Sequence, residues 1–109
     1  MIKGGSMHYI LDEANNVIPC PNTDEWVTWY KDNEKRRCTA SEAIGGFLVS
    51  TVFLSLNHGS VEKPMLWETM IFGGRHDQAQ KRYGTHAEAL EGHNLAVKNI
   101  KASQNLIEG

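Results

Sequence analysis

The stretch from Phe47 to Gly74 constrains the fold more than any other. It reads FLVSTVFLSLN, a polar break HGSVEKP, then MLWETMIFGG. β-Branched and aromatic residues fill both apolar runs, which predicts two strands joined by a loop. In the first run Leu48, Ser50, Val52, Leu54 and Leu56 share one face, and Phe47, Val49, Thr51, Phe53 and Ser55 share the other. Neither face is plainly polar. Such a strand is covered on both sides, or covered on one and used for association on the other. In the second run Met65, Trp67, Thr69 and Ile71 alternate with Leu66, Glu68, Met70 and Phe72, so Glu68 is an acid in an otherwise apolar row.

Around this pair the remaining elements can be placed from their end signals. His8 to Leu11 reads as a strand, Asn15-Asn16 as a turn, and Val17-Ile18 as the returning strand, stopped by Pro19 and Pro21. Asn22 with Glu25 makes an N-terminal capping pair, and Trp26, Val27, Trp29, Tyr30 and Asn33 follow at helical spacing. A helix from about Thr23 to Arg36 is expected, with a further helical turn possible at Ala40 to Ile44. Gly73-Gly74 ends the second central strand, and a polar run leads to Tyr83. Thr85 with Glu88 forms a capping box that opens a last helix, about His86 to Ser103. Its inner stripe is Ala89, Leu90, His93, Ala96, Val97 and Ile100. Gly92 within it costs about 1 kcal/mol relative to alanine, which points to a close approach by another group. The expected fold is α+β in the order β-β-α-β-β-α: an antiparallel sheet of three to five strands with two helices packed on it.

One domain fits 109 residues, expected over Met7 to Ser103, with Gln104 to Gly109 frayed. Codons for Lys3-Gly4-Gly5 can spell a ribosome-binding sequence shortly before Met7. Met7 is therefore the expected start, and Met1 to Ser6 a leader without order. A net charge of -2 argues against a general nucleic-acid binder, since phosphate neutralisation needs a basic face. No apolar run has the length of a membrane span, so cytoplasmic residence is expected. Cys20 and Cys38 read as two reduced thiols rather than a disulfide framework.

The five histidines, His8, His58, His76, His86 and His93, invite a metal reading. His86 and His93 stand two helical turns apart rather than one, and no HExxH spacing exists, so no metal and no cofactor is expected. Glu68 with Asp77 or Glu88 offers an acid/base pair, against a plain salt bridge from Glu68 to Arg75 or a lysine. Gly73-Gly74-Arg75-His76 either brings backbone close to an anion that Arg75 forks onto, or is simply a strand exit. Lys81, Arg82 and Tyr83 add cations and a ring nearby. Trp26, Trp29 and Tyr30 exceed what one narrow stripe buries, leaving a ring for an interface.

HYILD, STVFL, ETMIFGG and YGTHAEALEGH together resemble a family of small phage and prophage proteins. The matching residues are His8 to Asp12, Trp26 to Tyr30, Ser50 to His58, Glu68 to Gly74 and Tyr83 to His93. Cys38 to Gly46 is longer than the usual junction. The resemblance implies a phage-encoded protein of the host cytoplasm and no particular reaction. Glu68, Gly73, Gly74 and His93 fall inside its motifs, which suggests that they converge on one pocket at the end of the sheet. The resulting expectation is a non-enzymatic protein that counters host defence or regulation. It would sequester a small anionic, nucleotide-like signal, or occupy a host defence protein, through Glu68, Gly73, Gly74, Arg75, His76, Tyr83 and His93. The alternatives are an interaction protein forming a homo-oligomer, and a small enzyme using His93 and Glu68 as acid and base.

Overall fold

A computed structural model describes residues 8–60, 62–74 and 79–108. The elements are β1 (Tyr9–Leu11), β2 (Val17–Pro19), α1 (Thr23–Asp32), α2 (Glu34–Arg37), β3 (Cys38–Ile44), β4 (Phe47–Phe53), β5 (Trp67–Phe72), β6 (Ala79–Tyr83) and α3 (His86–Glu108). The architecture is α+β, with a four-stranded antiparallel sheet in the order β3-β4-β5-β6 and a separate β1-β2 hairpin. β4 and β5 are its central strands, set with Thr51 opposite Thr69 and Leu48 opposite Phe72.

Local chemistry explains most element ends. Asn15 takes a left-handed φ of 66° in the β1-β2 turn. Asp12 accepts hydrogen bonds there from the backbone N–H groups of Ala14 and Asn16, each at 2.8 Å. The Asn22 side chain accepts from Glu25 N at 2.9 Å and caps α1. Thr85 Oγ1 accepts from Glu88 N at 3.1 Å and donates to the Glu88 carboxylate at 3.0 Å, closing the capping box of α3.

Three expectations are corrected. The first helix stops at Asp32, because the Asn33 amide donates to Trp29 O at 2.8 Å and its backbone leaves the helical region before the short α2 begins. Cys38 to Ile44 is a strand rather than a helical turn: Gly45-Gly46 folds it back onto β4, with Ile44 opposite Phe47, and pairing overrides its weak local preference. The polar run before Tyr83 is the edge strand β6, and its pairing puts Arg82 opposite Glu68. Among the described residues three helices are present, and α3 extends beyond Ser103. The leader expected at Met1 to Ser6 lies outside the described residues.

Alternation turns Phe47, Val49, Thr51 and Phe53 of β4, and Trp67, Thr69 and Ile71 of β5, toward α3. The helix crosses this face diagonally. At its start His86 lies edge-on to Trp67, and Ala89 joins Leu11, Phe53, Leu66 and Trp67 in one buried cluster. Further along, Val97 and Ile100 join Ile44 and Val49 in a second. Trp29 of α1 meets Phe53 edge-on at 6.0 Å and covers one of the corners that a diagonal helix leaves open. The other corner, over the end of β5 and the start of β6, stays open.

Candidate functional site

The open corner is a half-open cleft of about 1010 Å³ between α3 and the β5-β6 pair. Thr69, Ile71 and Tyr83 lie along its floor, and Gly92, Leu95 and Ala96 along the α3 wall. The size suits a small organic ligand, and the lining mixes apolar residues such as Ile71 and Leu95 with charges of both signs, Lys63, Lys81 and Arg82 against Glu62, Glu88 and Glu91.

Its deepest polar point is a buried chain. Thr51 Oγ1 and Thr69 Oγ1 hydrogen-bond directly across the β4-β5 pair. Thr51 Oγ1 also lies 2.8 Å from His93 Nδ1. Thr69 ends this chain on β5, and Tyr83 on β6 lines the same cleft beside it. Thr51, Thr69 and His93 are all buried, at 0%, 4% and 4% exposure, so polar atoms separate the two apolar clusters. Burying such groups is costly unless each is paired, and here the pairing runs through all of them.

Gly92 makes the position of the Tyr83 ring possible. A Cβ built at Gly92 would lie 2.1 Å from the Tyr83 hydroxyl oxygen. The close approach expected at this glycine is that of the Tyr83 ring tip.

The electrostatics keep Tyr83 and His93 neutral. Burial pushes the Tyr83 phenol above its usual value. Burial likewise pushes His93 below the usual imidazole value, opposed by the Glu42 carboxylate, which Lys101 holds at 3.4 Å. The sign of the stability effect follows. With its folded pKa depressed, His93 takes up a proton more readily in the unfolded chain. Its contribution is therefore fully present above about pH 6.5 and is lost as the pH falls toward the folded value. Urea denaturation from pH 7.5 to 5 is expected to show a steeper loss of stability in the wild type than in His93→Gln. Parallel pH curves would mean that His93 titrates alike folded and unfolded.

Among the described members of the expected set, the structure places Tyr83 against Gly92, next to His93, and separates Glu68, Gly73 and Gly74 from them. Glu68 points to the opposite face of the sheet, where Arg82 Nε meets its carboxylate at 3.0 Å. Among the described residues its partner is Arg82 rather than a lysine, while the Arg75 expectation lies outside them; the convergence of Glu68 with His93 is corrected, because adjacent strand residues face opposite ways. Gly73 and Gly74, with φ of 94° and 63°, pack against the β3-β4 turn. A Cβ at Gly73 would lie 2.3 Å from Gly46 O, and one at Gly74 2.2 Å from the Phe47 ring. That pair makes room for chain packing at the far end of β5, away from His93. Arg75 and His76 lie outside the described residues. Among the other histidines, His8 stacks on Trp26 with ring centres 4.4 Å apart, and His58 is exposed. Among the described residues, no group of three or more His, Cys, Asp or Glu is arranged to hold a metal ion, and no helix is long and apolar enough to cross a membrane.

Thr51 and Thr69 are the site residues that the sequence did not single out. Their signal is a break of phase: the inward stretches of β4 and β5 and the inner stripe of α3 are otherwise apolar and are interrupted by Thr51, Thr69 and His93. Only strand register shows that the three breaks meet at one level. No family model, curated protein or solved structure matches the chain.

Proposed function

We propose that this chain is a non-enzymatic binding protein whose cleft between α3 and the β5-β6 pair takes up a small anionic, nucleotide-like ligand. One observation carries the reading: the Tyr83 ring tip, set against Gly92 on the floor of the cleft, with a cation beside it. The Lys81 ammonium stands 5.8 Å from the centre of the Tyr83 ring. A ring-bearing ligand would lie on Ile71, Leu95 and Ala96, with its anionic group toward Lys81 and the Tyr83 hydroxyl. Glu88 and Glu91 on the α3 wall repel a charge placed there, which confines it to the β6 side. The resemblance to phage and prophage proteins gives this activity a context, the removal of a host signal from the host cytoplasm.

Calorimetric titration with nucleoside monophosphates, cyclic dinucleotides and neutral nucleosides tests the reading. Phosphate-bearing members are expected to bind, and Lys81→Ala to weaken them about 10-fold, the scale of one charge-assisted contact. Neutral nucleosides binding as tightly as their phosphates would overturn it, as would turnover of a bound nucleotide.

A second reading, self-association, is favoured by Leu48 and Phe72. They face each other across β4 and β5 on the outer face of the sheet, 39% and 41% exposed. Light scattering decides it: a monomer at high micromolar concentration excludes the homo-oligomer, whereas a dimer lost in Phe72→Ser supports it.

A further inference from the structure

The α3 wall of the cleft carries a row of side chains that the packing of the fold does not use. Glu91, Leu95 and Asn99 recur every four residues, so they stand one above another along the helix. All three are exposed, and all three line the cleft. Leu95 is 53% exposed, more than any other large hydrophobic among the described residues. The core does not require it, since α3 buries Ala89, Val97 and Ile100 on its inner side. Glu91 is equally uncommitted. The side chains within one helical turn of it are Ala87, Glu88, Asn94 and Leu95, none of them a cation. Glu88 differs, because its carboxylate accepts from the Thr85 hydroxyl in the capping box. The row therefore offers the cleft a free carboxylate, an apolar seat and an amide, in that order.

We propose that this row reads a guanine base, so that the ligand of the cleft is a guanine nucleotide and Glu91 sets the choice of base. This rests on the reading of the cleft as an anion site. With the phosphate held on the β6 side by Lys81, a purine seated on Leu95 turns the edge opposite its sugar toward α3. Guanine presents two donors there, N1–H and the exocyclic N2–H, beside the O6 acceptor. A carboxylate can only accept, so Glu91 takes both N–H groups as a parallel pair. The Asn99 amide donates to O6. Glu91 and Asn99 lie about 12 Å apart along the helix axis, which leaves a base between them with a hydrogen bond at either end. Adenine presents a lone pair at N1, and no proton then stands between that nitrogen and the carboxylate. Asn99 serves either purine, because an amide both donates and accepts, so discrimination falls to Glu91. A carboxylate on the α3 wall and a cation on β6 thus suit one ligand, with donors on its base and charge on its phosphate.

The test is calorimetric titration of the full chain with the 5′-monophosphates of guanosine, inosine and adenosine, which share one phosphate and differ in the base edge. Guanosine monophosphate is expected to bind most tightly. Inosine monophosphate lacks the N2 amine and should bind about 10-fold more weakly, and adenosine monophosphate about 100-fold more weakly. Glu91→Gln should weaken guanosine monophosphate about 10-fold and leave adenosine monophosphate unchanged or tighter, since the new amide can donate to N1. Glu91 is exposed, so its urea midpoint is expected to match that of the wild type. Equal binding of the three nucleotides overturns the inference and leaves the anion site standing. A preference for guanine that survives in Glu91→Gln overturns it too, because another group then reads the base. If none of the three binds, the anion site fails and the inference with it.

Discussion

Gly92→Ala is expected to abolish ligand binding and to lower stability by about 1–3 kcal/mol, although alanine is the better helix former by about 1 kcal/mol. The new methyl would lie 2.1 Å from the Tyr83 hydroxyl oxygen and 2.2 Å from its Cζ. One of them has to move. The backbone of α3 is held by its own hydrogen bonds and by Ala89, Val97 and Ile100 in the core, so the ring yields. The free space is the cleft, and a displaced ring fills it. Titration calorimetry and urea denaturation read the two effects separately. The same substitution made in Tyr83→Ala should reverse sign and stabilise by about 1 kcal/mol, because nothing then opposes the helix preference. A Gly92→Ala protein that is more stable than the wild type and still binds would show that this glycine makes no room for Tyr83.

The contrast between Gly92 and Gly73-Gly74 shows how far the sequence reaches. A glycine inside a strong helical pattern is a local anomaly, so a close contact could be inferred there, although its partner, nine residues earlier on an edge strand, could not. Gly73-Gly74 has the same local signal and a different cause, packing against Gly46 and Phe47, which only the β3-β4 turn reveals. Caps and turns were legible because their partners lie within four residues: Asn22 with Glu25, Thr85 with Glu88, Asp12 with Asn16. The edge strands β3 and β6 were not, because pairing with β4 and β5 rather than local preference makes them strands. Missing β6 also hid the partner of Glu68, since Arg82 reaches it only by register. For the same reason the candidate site was half visible: His93 and Tyr83 stand out as single residues, whereas Thr51 and Thr69 matter only through the pairing of β4 with β5.

That buried layer supports a sharper prediction, in which stability and function part. Thr51→Val preserves shape but removes both bonds of Thr51 Oγ1, leaving His93 Nδ1 and the Thr69 hydroxyl short of a partner in a buried site. At about 1–3 kcal/mol for each of the two orphaned groups, a loss of about 2–6 kcal/mol is expected in urea denaturation. Extending the change to Thr51→Val, Thr69→Val, Tyr83→Phe and His93→Leu together should recover most or all of it. No polar atom of the chain is then left unpaired, and the clusters around Phe53 and around Val49 merge into one apolar core. The quadruple variant is nonetheless expected to lose the ligand, having no hydroxyl at the base of the cleft. A variant that is stable yet cannot bind would mean that the polar layer persists for what it does in the cleft, since an apolar layer serves the fold as well. If the quadruple variant instead remains as unstable as Thr51→Val, or recovers and still binds, then Thr51, Thr69 and His93 serve the fold alone, by fixing the register of β4 against β5 and the rotation of α3 above them.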